Sequence, residues 1–239
     1  MAEKLIRFFG YIAAAQLVFA LVVFAITRGT PVHAVMGMGI GLYLFWIIIG
    51  GLLMKKYRDP VRAFVENIRV SWQLKFILFS TALAMIEEVV TVAMTNTAPW
   101  YGVTMAQAHI TASSNYWDVI LTNSVVLFVP MFCIWAWLLS RYDFSPEAVF
   151  LLWGLSGTFL EMVTGGPQHI LEIGMWMFVY GLMVYLPAYS IPRERSVKQP
   201  QWWHYLFSFA IVFLGIIPGG ILAAIIKYIR PPHCFPGFN

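Results

Sequence analysis

The sequence predicts an all-α fold, a polytopic integral membrane bundle of about seven transmembrane helices. Three observations lead there. Hydrophobic residues make up 60% of the chain and charged residues 11%, whereas soluble domains carry about 25% charged residues. Several apolar stretches reach the ~20 residues that a helix needs to cross a bilayer. The basic residues gather in alternate links between those stretches, which is the pattern that topology imposes. No repeat or low-complexity linker divides residues 1–239, so one helical-bundle domain is expected.

The first span is expected at 8–27, between Arg7 and Arg28. It is long enough to span and lacks a small-residue cleavage site, so no signal peptide is expected. The second is expected at 34–54, ending before Lys55 and Lys56. In the link that follows, Val61, Phe64, Val65, Ile68 and Trp72 have helical spacing with basic residues between them. Residues 58–75 are therefore expected to form an interfacial helix on the cytoplasmic side. The third span, 76–97, carries Glu87 and Glu88 near its middle.

Residues 98–116 are too polar to span, and Trp100, Tyr101, Tyr116 and Trp117 suit a membrane interface. This segment is expected to lie over the outer mouth as a loop or lid. The fourth span is expected at 117–140, with a kink at Pro130. The fifth, 146–164, and the sixth, 170–191, are joined by the turn GGPQH at 165–169. The seventh is expected at 205–228, kinked at Pro218.

Charge sets the expected orientation. Lys4, Arg7, the six basic residues between the second and third spans, Arg141, Arg193, Arg195 and Lys198 share one side. Only Arg28, Lys227 and Arg230 lie on the other. This places the N-terminus in the cytoplasm and the C-terminus outside a cell membrane crossed several times. The net charge of +4 is explained by these links, so no nucleic-acid partner is expected. Cys133 and Cys234 form no CxxC or zinc-like spacing.

The glutamate helix carries the strongest functional signal. An ionisable side chain at mid-bilayer costs at least ~2.5–3.5 kcal/mol, so two in succession call for a reason, either a polar packing seam with both acids protonated or a functional site. Thr81, Ala84, Glu88, Thr91 and Thr95 recur at steps of three and four and share a face. Ser80, Glu87 and Met94 lie on the adjoining stripe. Glu161 shares a face with Gly154, Gly157 and Thr164, where another helix or a ligand can come close. His169 and Glu172 are three apart at the start of the sixth span. Between Phe76 and Ile191 the one Lys or Arg is Arg141, at the opposite end.

The acids therefore hold protons or a cation. Glu87, Glu88, Glu161 and His169 are the expected catalytic residues. Thr91, Thr95, Trp100, Tyr101 and Asn123 are the expected substrate-binding residues. If a divalent metal ion is the cofactor, the expected ligands are Glu88, Glu161, His169, Glu172 and His109. Tyr180, Tyr185 and Tyr189 are expected to pack or to sit in the aromatic belt. His33, His204 and His233 lie near span ends and read as interfacial.

An adjacent glutamate pair in a membrane helix resembles the glutamate motif of the CAAX-prenyl protease and bacteriocin-processing family. That resemblance implies an intramembrane hydrolase. The family follows the pair with arginine and adds FxxxH and HxxxN; here Val-Val-Thr-Val follows the pair and both later motifs are absent. Acidic residues on membrane helices also resemble those of lycopene-cyclase-type enzymes, which implies isoprenoid chemistry. The expected function is a membrane-embedded enzyme acting on a lipid, isoprenoid or membrane-peptide substrate through a site opening outward. The alternatives are a proton- or cation-coupled transporter using the same acids, and a non-catalytic subunit of a larger membrane complex. Expected partners are membrane lipids and a hydrophobic small molecule or membrane peptide.

Overall fold

The computed structural model describes residues 1–192 and 195–233. Arg193 and Cys234 lie outside the described residues. Among these residues the chain is helical and has no strand, with one isolated bridge between Tyr142 and Lys198. Six helices are long and apolar enough to cross a membrane, or seven if one bent pair counts as a span. The chain is a multi-pass membrane protein.

Helix α1 (Ala2–Ile26) exposes Val18, Phe19, Val22 and Ile26, a surface suited to lipid. The chain turns at Gly29, whose φ of 75° favours glycine. Thr30 then caps the next helix by accepting from the His33 amide, with Pro31 at the first helical position. That helix is continuous from Pro31 to Asn67 and has three parts. Helix α2 (Pro31–Leu42) passes into a π-helical segment, Tyr43–Gly50, and then into α3 (Gly51–Asn67). The π segment turns Trp46 into the bundle, where its indole donates to the Val179 carbonyl at 2.9 Å.

The expected separate helix at 58–75 is thus divided differently. Residues 58–67 prolong the second membrane helix, Ile68–Val70 leave helical geometry, and Trp72 opens the next helix. Hydropathy ends near Met54, but Lys, Arg and Glu are good helix formers and carry the helix further.

Helix α4 (Trp72–Thr95) starts on a Ser71 cap that accepts from the Leu74 amide. Helix α5 (Tyr116–Thr122) and helix α6 (Val125–Leu139) are bent by 44° at Asn123 and Ser124. The break falls before Pro130, and the Asn123 and Ser124 amides both turn back to the Val119 carbonyl. Helix α7 (Pro146–Gly165) has a Ser145 cap and Pro146 at its first position. A 3-10 turn, Pro167–Glu172, leads into α8 (Ile173–Tyr189). Helix α9 (Trp202–Val212) and α10 (Ile216–Ile229) meet at a short 3-10 turn, Phe213–Gly215. Pro218 lacks the N–H that would bind the Leu214 carbonyl, which accounts for the interruption there.

Helix α8 is the hub. It packs against α7 most extensively and also against α4, α1 and α3. The α7–α8 seam is close because glycine faces bulk across it. A Cβ on Gly154 would lie 2.4 Å from Met177 Sδ, and one on Gly157 would lie 2.0 Å from Tyr180 Cγ. Helix α4 packs against both α6 and α8. Trp135, Trp153, Phe132 and Met177 fill the interior between these helices.

Candidate functional site

The polar stripe of α4 faces the interior. Glu87 and Glu88 are 4% and 7% exposed, and Ser80, Thr91 and Thr95 are buried with them. The Thr91 hydroxyl lies 3.2 Å from Glu88 Oε2 and also reaches the Glu87 and Glu88 carbonyls. The Ser124 hydroxyl stands close enough to interact with the Glu88 carboxyl. Ser124 reaches it because the break between α5 and α6 turns this residue inward, while its neighbour Asn123 is exposed. Among the described residues neither glutamate forms an ion pair.

Glu161, on α7, comes near the same pair. Its carboxyl accepts a hydrogen bond from the Tyr180 hydroxyl. It also lies within electrostatic reach of both Glu87 and Glu88, and so does Tyr180. Gly157 makes this possible by leaving room for the Tyr180 ring on α7. Tyr180 is thus bonded to the α7 acid and lies within electrostatic reach of the α4 acids.

The line continues towards the helix ends. Glu161 is within electrostatic reach of His169 and Glu172. His169 Nδ1 and Glu172 Oε2 are 2.8 Å apart, and the Trp176 indole donates to the same oxygen at 2.9 Å. Gly165 gives the imidazole its place, since a Cβ there would sit 2.4 Å from His169 Nε2. Glu172 is half-buried, so the line runs from the buried α4 pair to a partly open end. Glu172, Trp176 and Tyr180 follow one another at steps of four along one face of α8.

Gln16 fixes this end of α8. It donates to the Leu171 carbonyl at 2.6 Å and accepts from the Met175 amide at 2.9 Å. Such bonds satisfy groups that a helix start leaves free. The Tyr43 hydroxyl donates to the same Gln16 oxygen at 3.2 Å.

Other expected site residues are used elsewhere. Thr95 accepts from the Ile110 amide at 3.2 Å and from the Thr111 hydroxyl at 2.9 Å, so it holds the 98–116 segment. Tyr101 fits against Gly37 and contacts His33 and Phe24, whereas Trp100 is 84% exposed. Ala98 and Ala108 pack with Ala34 and Met38 into a small apolar cluster of their own. Asp118 accepts from the His233 amide at 2.7 Å and pairs with its ring at 2.8 Å, which ties the C-terminal segment to α5.

The expected metal set is not assembled. Among the described residues no three His, Cys, Asp or Glu side chains are grouped so as to hold a metal ion. His169 and Glu172 are engaged with each other, and His109 Nδ1 lies 2.9 Å from the Met105 carbonyl within its own loop. Glu88 is bonded by the Thr91 hydroxyl and Glu161 by the Tyr180 hydroxyl.

Sequence reasoning missed Tyr180, Trp176, Ser124 and Gln16. The four-residue spacing from Glu172 to Tyr180 was the available signal for the first two. The chain has no matching family model, and no curated protein or solved structure matches it either.

Proposed function

We propose that this protein is a membrane-embedded enzyme that moves protons at a lipid-like or isoprenoid substrate, with the Glu87–Glu88 pair as acid and base. Tyr180, Glu161, His169 and Glu172 return the proton to the outer end. The observation that carries this reading is a buried pair of adjacent carboxyls with no cationic partner among the described residues. A structural acid in such a place is ordinarily paired with a base. Here the nearest groups are hydroxyls and other acids, which are groups that pass protons.

A proton-coupled carrier is the second reading. It is favoured by the way titratable groups run from mid-helix to a half-buried end. In both readings the N-terminus is cytoplasmic, the membrane is the cell membrane, and the line opens outward. The test is reconstitution into liposomes of total lipid extract, followed by mass analysis of the lipids. Wild type should generate new lipid masses, and Glu87→Gln and Glu88→Gln should not. Decay of an imposed pH gradient with no new lipid mass would select the carrier instead.

A further inference from the structure

We propose that the groove between α3 and α4 binds one anionic phospholipid, with an acyl chain along the groove and the phosphate at Lys75. The groove has a volume of about 680 Å³, within the ~300–1,000 Å³ of ordinary ligand sites. Leu83 and Leu186, both buried, form its deep end, and the exposed Leu53, Phe64, Ile68 and Val70 line its outer part. Lys75 is the charged residue in this lining.

Two features select an anionic lipid. The first is charge. From Leu53 to Lys75 the chain carries six basic residues against Asp59 and Glu66. Lys75 Nζ donates to the Glu66 carbonyl at 2.9 Å, which holds the ammonium at the groove. An ammonium has three donors, so two remain for a phosphate. Among the described residues no carboxylate pairs with it.

The second feature is apolar surface in the wrong place for the bilayer core to explain. Phe64 is 70% exposed, and Ile68 and Val70 are 42% and 43% exposed, yet all three lie among charged residues beyond the apolar stretch. Apolar side chains set among basic ones just beyond the apolar stretch belong at the headgroup boundary. The groove continues that apolar surface inward between two helices.

This site goes beyond the proposed activity. Glu87 lies twelve positions after Lys75 along α4, a rise of ~18 Å. A phosphate at Lys75 is therefore remote from the acids, and the lipid is a second ligand rather than the substrate.

The test uses the full chain in nanodiscs of equimolar phosphatidylglycerol and phosphatidylcholine with identical acyl chains. Native mass spectrometry counts the lipid that stays bound on release. Wild type should retain phosphatidylglycerol about tenfold over phosphatidylcholine, a free-energy difference of ~1.4 kcal/mol. Lys75→Gln should bring the ratio to about one, and Lys75→Arg should keep the preference. Leu83→Trp, which fills the deep end, should release both lipids. Glu87→Gln should leave retention unchanged, so loss of the proposed activity and loss of the lipid site are separable. Equal retention of both headgroups by wild type, or a preference that survives Lys75→Gln, would overturn the proposal. So would a dimer mass that Leu83→Trp abolishes, because a second copy would then occupy the groove.

Discussion

Gly157→Ala tests the α7–α8 seam on which the carboxyl line depends. The added methyl carbon would meet Tyr180 Cγ at 2.0 Å and Cδ2 at 2.1 Å. Nothing in contact packs so closely, so either the ring or the helix pair must move. The ring cannot swing away freely, because Tyr180 is buried among Phe128, Trp176 and the α7 backbone. Overpacking of this kind costs ~1–3 kcal/mol. Removing the ring by Tyr180→Ala is a second perturbation, worth ~3–5 kcal/mol for a large aromatic side chain. The two should not add. With the ring gone, the methyl group enters vacated space and should cost nearly nothing. The coupling between them is then the whole of the first loss, ~1–3 kcal/mol in a double-mutant cycle. Unfolding by SDS titration in mixed micelles measures all four corners. If Gly157→Ala costs the same in both backgrounds, or nothing in the wild type, the seam does not depend on this glycine.

Glu87→Gln, Glu88→Gln and Glu161→Gln should each abolish the activity while leaving SDS-titrated stability near wild type, because the amide keeps the volume and loses the proton. Glu147→Gln, in the first turn of α7, should be silent in both measurements. Reporter fusions at Lys198 and Asn239 should report opposite sides of the membrane; the same side for both would refute the proposed crossing. Asp118→Asn should accelerate hydrogen exchange at the His233 amide, since the carboxylate that accepts it becomes a weaker acceptor. Unchanged exchange would show that the C-terminal segment is held by something else.

The glutamate helix was legible because its evidence is periodic. Polar residues at steps of three and four must share a face, and a polar face must turn inward in a bilayer. The glycine face around Glu161 was legible for the same reason. Tyr180 was not, because a tyrosine in an apolar helix ordinarily packs, and its role depends on a partner nineteen residues away. Ser124 was hidden more deeply. It faces Glu88 because α5 and α6 bend by 44° beside it, and hydropathy reads that stretch as one straight span. The second helix shows the converse error. The apolar pattern ends near Met54, but backbone hydrogen bonding continues to Asn67 because charged side chains there do not oppose it.

The central position of α8 explains how acids on different helices come to share one site. Helices α4 and α7 each pack against α8, and Tyr180 of α8 is bonded to the α7 acid and within electrostatic reach of the α4 pair. A phenol can donate one proton while its lone pairs accept another. Here the Tyr180 hydroxyl already donates to Glu161 and stands within reach of Glu87 and Glu88. On the proposed function, a proton from the α4 pair passes to Glu161 by way of this phenol, which already donates to Glu161. Beyond Glu161 come His169 and Glu172, whose Nδ1 and Oε2 are 2.8 Å apart. The order of groups places the most buried acids furthest from the opening and Glu172, more exposed than His169, nearest to it. On the proposed function, this order of groups is the path by which protons leave the pair.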